Sequence, residues 1–133
     1  MVAYAMHLPR DPLFKSVRIH PDDEHGKQFE FSGWLARRGF SKASSSGKTT
    51  YAGDCTDVED RMITINPKSG LGDVVAGIGD RVILAECKGA IINTLHPGQR
   101  SRLDKGLHET VGRLMGKPHS GRQVAVVPCT DLT

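Results

Sequence analysis

The pattern of apolar and polar positions predicts two helices. Pro21, followed by three acids, favours a helix start, and Gly39 is a suitable end for that helix. Between them Phe31, Trp34 and Leu35 recur at helical spacing and form an apolar stripe. A second helix is predicted over about residues 99–115, where apolar residues recur at the same spacing: Leu103, Leu107, Val111 and Leu114.

Shorter apolar runs predict strands. Residues 57–66 contain the β-type sequence MITI, and residues 123–127 form a last strand. The runs 73–76 and 81–87 are separated by Gly77-Ile78-Gly79-Asp80, a plausible hairpin turn. The order is therefore helix, three strands, helix and strand, which indicates an α/β fold.

Two segments have no clear period. Residues 1–20 are interpreted as an N-terminal arm or an edge strand, with residues 16–20 as the strand. Residues 41–54 are small and polar and predict a flexible loop or hairpin tip. The chain of 133 residues is long enough for one core, so residues 1–133 are expected to form a single domain.

Net charge, cysteine spacing and the length of the apolar runs limit the kinds of partner, metal site and location to expect. The net charge of +3 permits a polyanionic partner without requiring one. The three cysteines, Cys55, Cys87 and Cys129, form no CxxC pair and suggest neither a zinc site nor a disulfide framework. We therefore expect a reducing, cytoplasmic location, and no membrane association because no apolar run is long enough to span a bilayer.

Three residues carry the candidate chemistry. Glu86 and Lys88 are two apart in a predicted strand, so their side chains emerge on one face, and the hairpin brings Asp73 back beside them. Two converging carboxylates favour a hard divalent cation such as Mg²⁺. A nearby lysine could orient the attacking water and offset phosphate charge.

The stretch GDVVAGIGDRVILAECKG resembles the active-site signature of the PD-(D/E)XK, or restriction-endonuclease-like, nuclease superfamily. Asp73 matches its first aspartate, Glu86 its second acid and Lys88 its lysine, whereas Gly72 replaces the usual proline. The resemblance covers about residues 21–128 and is closest in appearance to Holliday-junction-resolvase-like nucleases. It implies an αβββαβ core, with a mixed central sheet flanked by helices, and a metal-dependent endonuclease acting on DNA in repair, recombination or restriction.

The resemblance also implies further site residues. Glu30, in a G-x-x-x-E pattern from Gly26, would join the metal site, and the Cys87 carbonyl would be another ligand of Mg²⁺, for which Mn²⁺ could substitute. Such nucleases often form homodimers. No nucleotide cofactor is expected, because Gly47-Lys48-Thr49 lacks the first glycine of a P-loop. The expected DNA contacts are Gln99, Arg100 and Arg102 on the second helix, and Lys42 and Lys48 in the polar segment.

Two alternatives remain open at this point. The chain could keep a nuclease-like fold as a DNA- or protein-binding module without catalysis. It could also be an unrelated small α/β domain in which the acid–acid–lysine set is accidental, since surface ion pairs of this kind are common. The basic face of the second helix has an equally ordinary explanation as a solvated surface.

Overall fold

A mixed β-sheet with helices on both faces forms the centre of the protein. The computed structural model describes residues 1–21, 23–67, 72–88, 95–116 and 121–127. The helices are Val2–His7 (α1), Asp23–Gln28 (α2), Phe31–Ala36 (α3) and Pro97–Met115 (α4), with a 3₁₀ helix at Leu8–Arg10. The strands are Phe14–Ile19 (β1), Ser41–Ser45 (β2), Gly53–Thr56 (β3), Met62–Ile65 (β4), Val74–Ile78 (β5), Arg81–Cys87 (β6) and Arg122–Val126 (β7).

The sheet contains seven strands within the described residues, in the order β2-β3-β4-β1-β5-β6-β7. β1 is parallel to β4, and β6 is parallel to β7. The other neighbours are antiparallel. Because parallel strands require a crossover, α4 connects β6 to β7 and packs against both. The predicted α/β class with a mixed sheet is thus confirmed, with more strands than the sequence indicated.

The N-terminal segment is not an arm or an edge strand, as the sequence suggested. β1 lies between β4 and β5 in the middle of the sheet, preceded by α1. Its buried residues Val17 and Ile19 lie beside buried residues of both neighbouring strands. Lys15 and Arg18 of this strand are exposed, whereas Val17 and Ile19 are buried, so the strand contributes an apolar face to the core.

The first predicted helix is two short helices. α2 ends at Gln28 and α3 begins at Phe31, with Glu30 as the N-cap residue of α3. The Glu30 side chain accepts a hydrogen bond from the Gly33 N–H at 2.9 Å, which satisfies one of the free amides of a helix start. This local bond competes with continuous helix and so places a break where the apolar spacing alone predicts none.

Of the two predictions for segment 41–54, a flexible loop or a hairpin tip, the structure bears out the hairpin. β2 pairs with β3 in antiparallel register, and every residue of β2 is exposed. The Lys42 Nζ donates to the Thr50 carbonyl at 2.7 Å and ties the hairpin together across its connection.

The other elements agree with the predictions. β4 contains the MITI run, α4 covers the predicted second helix, and β7 is the last strand. β5 and β6 form the expected hairpin, but its turn is shorter than predicted: Gly77 and Ile78 belong to β5, and Ile78 pairs with Arg81 across Gly79-Asp80. Gly79 has a φ of +59°, a conformation that glycine adopts without a steric penalty. Cys129 lies outside the described residues.

The two faces of the sheet have different covers. On one face, Val17, Ile65, Val74 and Ala85 join a core cluster with α1 and α3, through residues such as Phe31. We call this the core face. Because side chains alternate along a strand, Leu84, Glu86 and Lys88 project from the opposite side of β6, and Lys88 contacts α4 there. We call this the α4 face.

Arg61 joins the β3–β4 connection to the N-terminal part of the chain, and an ion pair with Asp57 in the same connection holds the Arg61 side chain in place. The Asp57 carboxylate accepts bonds from the Arg61 Nε at 2.6 Å and from the N–H groups of Glu59 and Arg61. The Arg61 Nη1 donates to the Pro9 carbonyl at 3.0 Å. Burial alone would raise the pKa of Asp57, but these hydrogen bonds outweigh it and hold that pKa below its ordinary value.

We expect Asp57→Ala to lower the midpoint of thermal unfolding by about 5 °C at pH 7, through loss of the hydrogen bonds to its carboxylate and of the ion pair with Arg61. A depressed carboxyl pKa stabilises the fold above the unfolded-state value and loses that effect as the pH falls through the folded-state value. The difference in unfolding midpoint between the variant and the wild type should therefore shrink below about pH 4. Calorimetry across this pH range tests it, with the exposed Asp104→Ala as control. An equal loss in both variants would contradict a stabilising role for the Asp57 hydrogen bonds.

Candidate active site

The register of the β5–β6 hairpin determines where the candidate acids lie. Val74 pairs with Ala85, so continuing the antiparallel register by one residue sets Asp73 opposite Glu86. Directly opposed residues project from the same face of a sheet. Asp73, Glu86 and Lys88 therefore share the α4 face at one end of the two strands.

Two main-chain contacts hold Asp73. Its Oδ2 accepts a hydrogen bond from the Cys87 N–H at 2.8 Å, which joins the end of β6 to the residue before β5. Its backbone carbonyl accepts from the His20 N–H at 2.8 Å, just after β1. Asp73 is thus fixed at the point where three strands meet, and its carboxylate has a defined direction.

The surroundings of Asp73 disfavour its negative charge. Burial raises the pKa of Asp73, and the charge of Glu86 raises it further. The Cys87 N–H and the guanidinium of Arg113 on α4 act in the opposite direction without cancelling these effects. Glu86 is only 4% exposed. The site therefore concentrates two carboxylates in a partly desolvated place, where a cation would relieve their repulsion.

Lys88 lies against α4. Its Nζ is 3.6 Å from Glu109 Oε2, and the Lys88 side chain remains 40% exposed. Its aliphatic part runs along Gly106, where an added Cβ would come within 2.7 Å of the Lys88 Cε. Gly106 therefore gives the lysine room to pass along the helix, and Glu109 fixes the direction of its ammonium group.

Sequence reasoning did not single out the α4 residues of this site. Glu109 contacts Lys88, Arg113 acts on Asp73, and the buried Thr110 donates from Oγ1 to the Gly106 carbonyl at 2.9 Å. Glu109 and Arg113 are four residues apart and so lie on one side of the helix. That spacing is visible in the sequence, but nothing there indicates that this side faces β6.

Glu30 is not brought to this site. It caps α3, which packs on the core face, whereas Glu86 and Lys88 project from the α4 face. Its carboxylate is engaged with Gly33. Within the described ranges, which include Asp73, Glu86 and Glu30, no group of three or more His, Cys, Asp or Glu side chains could hold a metal ion. The four-member set implied by the resemblance is therefore reduced to Asp73, Glu86 and Lys88.

The expected DNA contacts fall in two regions. Gln99, Arg100 and Arg102 lie near the start of α4, and Arg100 and Arg102 are exposed. Gln99 precedes Gly106, which the Lys88 side chain contacts, by seven residues, or about 10 Å along the helix axis. Lys42 and Lys48 belong to the β2–β3 hairpin, where Lys42 is bonded to Thr50.

Comparison with known proteins provides no relative. No protein-family model, curated protein or solved structure matches the chain. Among the described residues, none of the helices combines the length and the apolar character needed to cross a membrane.

Because the environment of Asp73 favours its neutral form, we expect Asp73→Asn to raise the midpoint of thermal unfolding by a few degrees at pH 7 in EDTA. A carboxyl with a raised folded-state pKa stabilises the fold below the unfolded-state pKa and loses that effect as the pH rises through the folded-state value. The gain should therefore disappear below about pH 4. Asp80→Asn, an exposed turn residue, is the control. Destabilisation by Asp73→Asn at every pH would show that its charge is favourable here.

Proposed function

We propose that this protein is a Mg²⁺-dependent endonuclease that hydrolyses DNA phosphodiesters, of the restriction-endonuclease-like type. The observation that carries the proposal is the pairing of Asp73 with Glu86 at the ends of β5 and β6, with Lys88 on the same face. A mixed sheet between helices is compatible with it. A homodimer would supply two such sites, one for each DNA strand.

The donor set fits a hard divalent cation. Asp73 and Glu86 supply carboxylate oxygens and Cys87 a backbone carbonyl, which are the ligand types that Mg²⁺ takes. Within the described residues, the hydrogen bond to the Asp73 carboxylate comes from the Cys87 N–H to Oδ2, which leaves Oδ1 for a cation. The raised pKa of Asp73 supports the fit, since a cation beside this carboxylate would favour its charged form.

The chain's own residues have distinct roles in this proposal. Bound Mg²⁺ supplies Lewis-acid activation of a phosphoryl oxygen. The Lys88 ammonium orients the attacking water and balances phosphate charge, with Glu109 holding it in position. Arg113 opposes excess negative charge near Asp73. The Asp73–Cys87 hydrogen bond keeps the carboxylate in one orientation, so little ordering remains to be done when substrate binds.

The start of α4 would guide the DNA backbone. Lys88 contacts Gly106 in the middle of α4, whereas Leu114 near the helix end accepts a hydrogen bond from Gln123, which pairs with Leu84. The helix therefore runs antiparallel to β6, and its first turns extend past the strand end that carries Lys88. Arg100 and Arg102 are exposed on this projection, which also carries Gln99. Phosphate contacts there would position the duplex without specifying a sequence. Each such contact also makes binding more sensitive to salt.

A second candidate is a DNA-binding module without catalysis. It is favoured by the burial of Glu86 beneath α4 and by the ion pair between Lys88 and Glu109, since both engage the candidate groups within the protein. Titration calorimetry with Mg²⁺ or Mn²⁺ separates the two functions. Salt-sensitive DNA binding with no metal binding would support the module, whereas metal binding lost in Asp73→Ala would support the nuclease.

The central prediction concerns cleavage. In Mg²⁺, the wild type should nick supercoiled plasmid, and EDTA should stop it. Asp73→Ala and Glu86→Gln should each lower the rate at least a thousandfold, which corresponds to about 4 kcal/mol of transition-state stabilisation. Initial rates from gel-resolved time courses on branched and linear DNA measure the effect.

Asp80→Ala is the matched control, because it removes an exposed acid from the turn of the same hairpin. It should cleave as the wild type does. Circular dichroism and thermal unfolding confirm that each variant is folded. Wild-type rates in both site variants would refute the assignment.

A further inference from the structure

Two open grooves lie along the helices of the core face, on the other side of the sheet from Asp73 and Glu86. The first has a volume of about 510 Å³ and lies between α2–α3 and the β2–β3 hairpin, where its lining includes Lys27, Phe29, Glu30, Lys48 and Tyr51. The second, of about 340 Å³, lies between α1 and α3. It is lined by Ala3, Met6, His7, Arg10, Trp34 and Arg38.

Aromatic contacts connect the grooves. The Phe29 ring lines the first groove, and its centroid is 5.9 Å from that of Trp34, which lines the second. Phe29 is 36% exposed, which is high for a large apolar side chain. We call the two grooves and this connection the helical track. An exposed ring at its middle offers a stacking surface in water.

The track also contains a flat cationic group held in place. The Arg38 guanidinium carbon lies 3.6 Å from the centroid of the Trp34 ring, and its Nη1 donates to the Trp34 carbonyl at 3.1 Å. These contacts fix the guanidinium plane before any ligand arrives. A fixed guanidinium plane is a surface on which a nucleobase can stack.

Charge along the track favours a polyanion. Lys27 and Lys48 line the first groove, and Arg10 and Arg38 line the second. Among the lining residues that the structure describes, the only carboxylate is Glu30, and it caps α3 through Gly33. Cationic side chains interleaved with stacking surfaces are the combination by which proteins bind unpaired strands, since the cations meet phosphates and the flat groups meet bases.

We infer that the helical track binds an unpaired DNA strand, with Phe29 and Arg38 stacking on bases and Lys27, Lys48 and Arg10 contacting phosphates. The choice of DNA rests on the proposed nuclease function. The track and the candidate active site lie on opposite sides of the sheet, so a substrate that fills both must bend or branch between them. The inferred substrate class is therefore DNA in which a duplex adjoins a single strand.

The test measures binding to the full chain in EDTA, so that cleavage plays no part. A labelled deoxythymidine oligomer is titrated beside a duplex of matched length, with anisotropy as the readout. The oligomer should bind at least tenfold more tightly, because bases within a duplex cannot stack on the track. It should also quench the fluorescence of Trp34, the single tryptophan of the chain.

Matched variants separate stacking from charge. Phe29→Leu keeps an apolar side chain, and Arg38→Lys keeps the charge but loses the plane. Each should weaken oligomer binding at least about fivefold, with little effect on the duplex. Lys48→Gln should lower the slope of log affinity against log salt by about 0.7 for the single strand. Lys15→Gln, an exposed lysine outside both grooves, should leave affinity and slope unchanged.

Equal affinity for oligomer and duplex, or wild-type binding by both Phe29→Leu and Arg38→Lys, would overturn the inference. The folded state of each variant is checked by thermal unfolding, so a loss of binding is not mistaken for unfolding. The two proposals fail separately. Plasmid cleavage without oligomer binding would refute only the inferred strand-binding track. Oligomer binding by a chain that never cleaves DNA would refute only the proposed nuclease function.

Discussion

The antiparallel register of β5 and β6 is the constraint on which the candidate site depends. Gly79 and Asp80 close the hairpin, and Ile78 pairs with Arg81. From that pair the register continues to Val74 and Ala85, so Asp73 is carried to the position beside Glu86. A shift of one residue would turn every side chain of one strand to the other face and separate the two acids. The buried residues Val74 and Ala85 resist such a shift, because it would expose them.

The two faces of the sheet carry different kinds of side chain. Most buried apolar side chains, including Val17, Ile19 and Ile63, lie on the core face. Short helices cover this face, and Phe31 of α3 packs against it. The α4 face carries the charged groups of the candidate site, covered by one long helix that supplies Glu109 and Arg113. Because the apolar core and the charged site lie on different faces, the carboxylate pair does not interrupt the main core of this small domain.

Local and tertiary information contributed unequally to what could be predicted. The β5–β6 hairpin and α4 follow from turn residues and helical spacing, because both signals act over a few positions. β1 was mistaken for an arm or edge because its pairing partners, β4 and β5, are more than forty residues distant in sequence. The break at Glu30 was missed because one side-chain bond to Gly33 outweighs an unbroken apolar stripe.

The sequence by itself determined that Asp73, Glu86 and Lys88 share one face at the end of a hairpin, because strand alternation and turn-forming residues are local properties. Only the tertiary structure decided what covers that face. It set α4 over Glu86 and Lys88, and it sent Glu30 to the opposite side of the sheet. The reason is that the side on which a helix packs depends on the crossover and on the whole set of buried surfaces, which no short stretch of residues specifies.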